Sequence, residues 1–265
     1  MIAGISSLIL HETPLADFFV MAKESGYKCV ELFIGRDNEF NLGNADEKAA
    51  EINSLIKEHG LPVVSLVQSQ CTGNLLARGE AQKKSVEETI RGLEAAGKIG
   101  ARCALHTLGR LEKEVCYDEA FENAEASLRE IEIYARKYGV ALAVEFVWNG
   151  FLFSPLEMKT LLDRIGSEYV GFYFDPGNMA VFQYPQHWVR ILGKHIKMVH
   201  MKDWAGNALN GSWPALLKGE VDFAAVMSEL RNAGYDGPLV SEVDVSMAAL
   251  AETRESIEKI MKLGA

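Results

Sequence analysis

Apolar residues in this chain follow two rhythms that alternate from end to end. Leu15, Phe18, Phe19 and Ala22 fall at i, i+3, i+4 and i+7, the spacing that gathers one buried stripe on a helix. Val86, Ile90, Leu93, Ala96 and Ile99 trace a second stripe. Phe121, Leu128, Ile131, Ala135 and Tyr138 trace a third. Phe223, Val226, Met227 and Leu230 predict a later helix, and Leu250, Ile257, Ile260 and Met261 a last one, with a short helix at about 187–193. Ser154-Pro155-Leu156-Glu157 reads as a capping box with proline at the first helical position, where its missing N–H costs nothing. Between these segments lie short apolar runs rich in β-branched residues. They are IAGISS (2–7), CVELFI (29–34), PVVSLVQ (62–68), RCALHTL (102–108), ALAVEF (141–146), VGFYFD (170–175), IKMVHMKD (196–203) and PLVSEV (238–243). They predict eight strands.

Glycine marks the boundaries. Gly26, Gly60, Gly100, Gly139, Gly166, Gly193 and Gly234 each sit after a helix-patterned segment and before a strand. A glycine there adopts the left-handed conformation that ends a helix at little cost. Strands alternating with helices imply parallel strands joined by crossovers, and their nearly unbroken apolarity implies that both faces are covered. Eight such units predict an α/β fold, a (β/α)8 TIM barrel forming one domain over 1–265. An open doubly wound sheet is the alternative. The first strand is followed by no GxGxxG, which weakens its dinucleotide-binding form.

Composition narrows the function. The chain has 265 residues, 48 % apolar and 24 % charged, as for an ordinary globular protein. A net charge of −10 argues against nucleic-acid or anionic-membrane partners, which draw on clustered Lys and Arg. No apolar run is long enough for a membrane span, and no charged segment precedes the apolar stretch at the N-terminus, so no signal peptide is expected. Cys29, Cys71, Cys103 and Cys116 form no CxxC pair and are expected to be reduced thiols of a cytoplasmic protein.

In a barrel, chemistry sits at the carboxyl ends of the strands. Strands five to eight carry Glu145, Asp175, His200 and Glu242 there. Each alone is compatible with a cap or an ion pair. Three carboxylates converging on one mouth would repel, and a divalent cation removes the repulsion. A set of three carboxylates and one imidazole favours Mn²⁺ or Mg²⁺, with Co²⁺, Fe²⁺ or Zn²⁺ also possible.

The ordered motifs AVEF, FDPGN, VHMKD and VSEV, with KGEVDF at 218–223, resemble those of the xylose isomerase-like TIM-barrel superfamily. The likeness covers essentially the whole chain and is strongest over 141–243. It is nearest the branch of tagatose and psicose 3-epimerases, pentulose-phosphate epimerases and inosose dehydratases. The resemblance implies that Glu145, Asp175, His200 and Glu242 bind one divalent metal, and that Glu145 and Glu242 form the acid–base pair. It implies an isomerase or epimerase of a sugar or sugar phosphate. Such an enzyme removes a proton beside a carbonyl, forms a cis-enediolate stabilised by the metal and returns a proton, with no assignment of which Glu does which. It also implies homo-oligomers, since relatives are often dimers or tetramers.

Substrate contacts are expected at His106, Glu31, Gln68, Lys202 and Asn178. His106 has an alternative as a core residue or in supporting another site residue, Glu31 in supporting another site residue or in a plain ion pair, and Lys202 in neutralising nearby carboxylates. Asn178 stands where free-ketohexose epimerases resemble one another in having histidine, and Lys202-Asp203-Trp204 is not followed by their arginine. Both departures point away from free ketohexoses, toward phosphate-sugar and inositol-derivative branches. Trp148, Tyr184, Trp204 and Trp213 fall in loops after strands five to seven, where ordinary packing is the first expectation for each and a sugar-pocket wall or a dimer contact the alternative. His11, His59, His187 and His195 are expected outside the site. The competing reading is a dehydratase (lyase) of a keto-inositol or dehydroshikimate-like compound, which shares the proton abstraction. More distant alternatives are an abasic-site endonuclease, which needs further histidine ligands and DNA affinity, and a noncatalytic barrel.

Overall fold

The computed structural model describes residues 1–208 and 210–264; residues 209 and 265 of the expected 1–265 domain lie outside the described residues. The chain alternates β1 (Ala3–Ser6), α1 (Leu15–Glu24), β2 (Cys29–Phe33), α2 (Ala45–His59), β3 (Val63–Val67), α3 (Gly79–Lys98), β4 (Cys103–His106), α4 (Tyr117–Tyr138), β5 (Ala141–Glu145), α5 (Pro155–Ile165) and β6 (Val170–Phe174). Two short helices, α6 (Pro176–Ala180) and α7 (Pro185–Leu192), lead to β7 (Ile196–Met201). An antiparallel hairpin, β8 (Ala205–Asn207) and β9 (Asn210–Ser212), precedes α8 (Phe223–Asn232), β10 (Leu239–Ser241) and α9 (Leu250–Ile260). Strands β1 to β7 and β10 close a parallel barrel in the order β1-β10-β7-β6-β5-β4-β3-β2. The (β/α)8 barrel read from the sequence is the fold.

The capping box forms: Ser154 Oγ accepts from Leu156 N at 3.2 Å and Glu157 Oε2 from Ser154 N at 3.2 Å. Six of the seven glycines take positive φ; Gly193 does not. There α7 runs directly into a 3-10 turn (Gly193–His195) with φ −45°. A Cβ at that position would come within 2.5 Å of the Ala233 Cβ, so the glycine serves a close approach to the end of α8 rather than a left-handed cap. α2 ends at Gly60 and buries Ala45, Ala49, Ile52 and Leu55, a face that is half alanine.

Two packed layers follow from the period-two alternation of the strands. One set of side chains packs outward against the helices, among them Val30, Leu66, Ala104, Leu142, Phe172 and Val199. The other fills the barrel axis with Phe33, Val67, Cys103, Leu105, Ala143, Tyr173, Met198 and Val240. Continuing each axial set by two residues gives Glu145 after Ala143, Asp175 after Tyr173, His200 after Met198 and Glu242 after Val240. The same parity turns Gln68 and His106 outward.

Candidate metal centre

The four strand-end residues meet at the barrel mouth. Glu145, Asp175, His200 and Glu242 each offer one donor atom, and these atoms all lie within 4.8 Å of one another. Among the described residues this is the one such gathering of histidine and acidic side chains. His200 Nδ1 lies 3.3 Å from Glu145 Oε1 and 3.7 Å from Glu242 Oε2. Its Nε2 faces the opposite way, 2.8 Å from Glu31 Oε1. Glu31 in turn accepts from Tyr173 OH at 2.5 Å and from the Ser65 hydroxyl. Ser65, Tyr173 and Glu31 are wholly buried, so this layer locks the imidazole from below.

Asp175 is the N-cap of α6: its Oδ1 accepts from Gly177 N at 2.8 Å and Asn178 N at 3.2 Å. Its buried Oδ2 has no aligned hydrogen-bond donor; the Lys202 ammonium stands 3.1 Å away out of hydrogen-bond geometry. Lys202 also pairs with Glu242. Asn178 Nδ2 donates to Glu145 Oε1 and to the Phe146 carbonyl, both at 3.3 Å.

The electrostatics follow from burial and crowding. Burial first, then the charges of Glu242 and Asp175, push the Glu145 carboxyl up to about 7, against the stabilising His200 contact. Burial would lower the His200 pKa, but Glu31 and Glu242 outweigh it and hold the imidazole well above its ordinary value. Burial would raise the Glu31 carboxyl, but the His200 charge and its three hydrogen-bond partners bring it down. Asp175 and Glu242 likewise hold the Lys202 ammonium above its usual range, against its burial.

This donor set fits a divalent cation. Three carboxylates converge, one buried oxygen is left without an aligned donor, and the imidazole presents one nitrogen to them. The other imidazole nitrogen is fixed by a carboxylate, the arrangement that orients metal-ligating histidines.

Above the cluster opens a cavity of about 620 Å³, within the range of small-molecule sites. Glu145, Glu242, Lys202 and Asn178 line it. Three expected substrate residues do not. Glu31 lies beneath His200 and acts on it. Gln68 points outward to α3, where a Cβ on Gly92 would collide with its amide. His106 also points outward, its Nδ1 accepting from Leu108 N at 2.8 Å and its Nε2 without a partner. Burial pushes the His106 pKa down to about 3. Substrate contact at Gln68 and His106 is corrected by strand parity: Val67 and Leu105 hold the inward positions. His11, expected outside, stands on the cavity wall, because the 3-10 turn after β1 (Ser7–Leu10) folds back over the mouth.

Val67, Ser69, Leu105 and Thr107, at and just beyond the ends of β3 and β4, also line the wall and carried little signal in the sequence; of the aromatic loop residues, Trp148 and Trp213 line it. Asp203 is a hidden organiser: it accepts from Trp204 N, Gly219 N and Val221 N at 2.9, 2.8 and 3.2 Å, tying the loop after β7 to the KGEVDF segment. Only glycine fits at 219, since a Cβ there would overlap that carboxylate. The aspartate of VHMKD was its signal.

The chain is similar to several known proteins. It is 24 % identical over 172 residues to a probable L-ribulose-5-phosphate 3-epimerase, UlaE, of Mycoplasma pneumoniae. That match covers 63 % of this chain and 56 % of the relative, so the chain spans about half the length of that curated protein. A D-tagatose 3-epimerase-like protein superposes with a TM-score of 0.86 at 20 % identity, covering 100 % and 98 % of the two chains. The 3-keto-D-glucoside 4-epimerase YcjR of E. coli gives 0.80 at 19 %, covering 98 % of each. The IolI protein, solved with a zinc atom, gives 0.81 at 17 %, covering 98 % and 96 %. At these identities the superpositions speak to the fold. The model of the xylose isomerase-like TIM barrel family matches residues 19–263, and the chain belongs to that family.

Proposed function

We propose that this member of the xylose isomerase-like TIM-barrel family is a divalent-metal-dependent epimerase or isomerase of a sugar or sugar derivative, working by proton transfer beside a carbonyl. The observation that carries the reading is the pairing of two differently held carboxylates, Glu145 and Glu242, over one cluster of cation donors. The names of the similar epimerases support the same class of reaction.

Glu145, Asp175, His200 and Glu242 would hold the cation, Mn²⁺ or Mg²⁺ by the hardness of the set. When bound, it supplies Lewis-acid polarisation of the substrate carbonyl. The rest is done by the chain. Glu145 on β5 and Glu242 after β10 reach the cavity from strands separated by β6 and β7, so a planar enediolate between them is addressed from two sides. One carboxylate takes the proton and the other returns one; each such transfer is worth about 10²–10⁴-fold. Asn178 orients Glu145 with an uncharged amide, and Lys202 holds Glu242 with an ammonium. The two carboxylates therefore have unlike partners, an amide on one and an ammonium on the other.

The test is Mn²⁺ titration by calorimetry followed by incubation of the loaded protein with ketoses, their phosphates and keto-inositols in D₂O, with C–H exchange read by NMR. Exchange without loss of water is expected. Exchange with loss of water would assign the lyase reaction on the same residues. Failure of the protein to bind any divalent cation would sink the proposal.

A further inference from the structure

Gln68 and His106 stand apart from the cation donors, yet together they carry a set of unused hydrogen-bonding groups. Among the described residues, six buried side-chain polar atoms have no partner, and three of them are Gln68 Nε2, Gln68 Oε1 and His106 Nε2. Both residues are wholly buried. An amide or imidazole taken out of water without a partner is costly, and native proteins keep few such groups. Three of them at one place point to a partner they share.

The strands set the place. β3 and β4 run in register through Ser65–Cys103, Leu66–Ala104 and Val67–Leu105, and Gln68 N donates to the Leu105 carbonyl at 3.3 Å. The next pair is Gln68 and His106, side by side on the outward face of strands spaced about 4.8 Å apart. Gln68 Oε1 lies against Gly92 of α3, where a Cβ would come within 1.7 Å of it. One turn earlier on the same face of α3 stands Thr89, also wholly buried, whose hydroxyl donates to the Ser85 carbonyl at 2.7 Å. That hydroxyl proton is therefore not available to the amide oxygen.

The chemistry of the groups identifies the partner. His106 Nδ1 accepts from Leu108 N at 2.8 Å. A backbone amide only donates, so Nδ1 carries the lone pair and the proton of the neutral ring is on Nε2. Nε2–H needs an acceptor and the Gln68 oxygen needs a donor. A metal cation cannot accept and a halide cannot donate. The partner must do both and must be small enough to sit between two strands and a helix. Water meets both conditions, and buried waters bridge polar groups of this kind.

We propose that an ordered water is bound between β3, β4 and α3, accepting from His106 Nε2–H and donating to Gln68 Oε1. Through it the ring keeps Nδ1 turned to Leu108. That leucine is buried at a φ of 65°, a conformation that costs a bulky residue energy and persists where its surroundings hold it. The Leu108 carbonyl in turn accepts from Leu75 N at 2.9 Å, so the water supports the joint between the loops after β3 and β4.

The experiment is a rotating-frame NMR measurement on the full chain labelled with ¹⁵N-histidine, with the His106 ring signal assigned by its loss in His106→Asn. The ring is expected to be protonated on Nε2 and not on Nδ1, and its Nε2 proton to give a direct cross-peak to the water resonance. A cross-peak to the Gln68 side chain in place of water would show that the two residues bond directly, and it overturns the proposal. So does a ring protonated on Nδ1, or the absence of a water cross-peak. A second measurement reads the same site through stability. Gln68→Met keeps the length of the side chain and removes its amide, so both the water and Nε2–H are left short of a partner. The water cross-peak is expected to weaken or vanish, and the folding equilibrium constant to fall about five- to a hundred-fold, read as a lowered urea midpoint. An unchanged or raised midpoint would mean that the amide was an unpaired group whose removal relieves the fold, and it overturns the proposal.

Discussion

The two halves of the barrel mouth are built from the same strand–helix unit and show the cavity opposite things. β3 and β4 present Val67, Ser69, Leu105 and Thr107. The strands from β5 to β10 in the barrel present Glu145, Asp175, His200, Lys202 and Glu242. The first half is not short of polar residues. It carries Gln68 and His106 at its strand ends, on the outward parity, packed toward the helices. A polar residue at a strand end is therefore a weak pointer to chemistry unless its parity is known. Two buried histidines make the contrast sharp. His200 has a carboxylate on each side, and these outweigh burial to hold its pKa above the ordinary value. His106 has one accepted amide hydrogen bond, an unpartnered Nε2 and a pKa near 3, so it stays neutral. One half supplies reactivity and the other supplies shape.

The contrast breaks first at the carboxylates. Glu242→Gln is expected to cost about 10²–10⁴-fold in C–H exchange while circular dichroism and the thermal midpoint change little. An unchanged exchange rate would remove Glu242 from the acid–base pair. Next comes His200→Ala, which leaves Glu31 wholly buried without its imidazole partner. Breaking a buried pair in this way costs about 3–5 kcal/mol, read as a lowered urea midpoint, together with loss of Mn²⁺ binding in calorimetry. Stability equal to the parent chain would mean that the layer beneath the site is not a charged one.

Glu31→Gln tests the same layer more gently. The imidazole loses its anionic anchor but keeps a hydrogen-bond acceptor, and Mn²⁺ affinity is expected to fall about 10–100-fold, with wild-type folding. Affinity unmoved by this change would show that His200 is held by packing alone. The smallest effect belongs to the other half. Because the folded-state pKa of His106 lies below its unfolded value, the unfolded chain binds the proton first as pH falls. Stability tied to His106 is complete above about pH 6.5 and drains away toward pH 3, at about 1.4 kcal/mol per pH unit at most. His106→Asn keeps an acceptor for the Leu108 amide and removes the titration. Its urea midpoint is expected to fall less steeply with acid between those pH values, with exchange activity intact. A parallel acid profile in the two proteins would show that His106 is not held neutral.

Much of the barrel was legible because its signals are local. The helical stripes, the Ser154 capping box and six of the glycine caps depend on spacing within one or two turns. The strands that carry Glu145, Asp175, His200 and Glu242 were equally legible, since each apolar run is broken near its carboxyl end by an ionisable side chain. Gly193 misled because a glycine needed for contact with α8 looks the same in sequence as one needed for a left-handed cap. His106 and Gln68 were ambiguous for another reason. Val67 and Leu105 are as apolar as their outward neighbours Leu66 and Ala104, so an apolar run covered on both faces does not say which residue looks inward.

Sequence by itself determined the eightfold alternation, the strands and the four residue types at their carboxyl ends, because periodicity and caps are enforced by neighbours along the chain. Tertiary structure alone decided that β5, β6, β7 and β10 bring those four donors within 4.8 Å of each other. It also decided that Glu31 braces His200 from below and that Trp213, carried past the hairpin, stacks on Trp148. Those relations join residues about 25 to 169 positions apart, and barrel closure with its side-chain parity fixes them, which no short window of sequence contains.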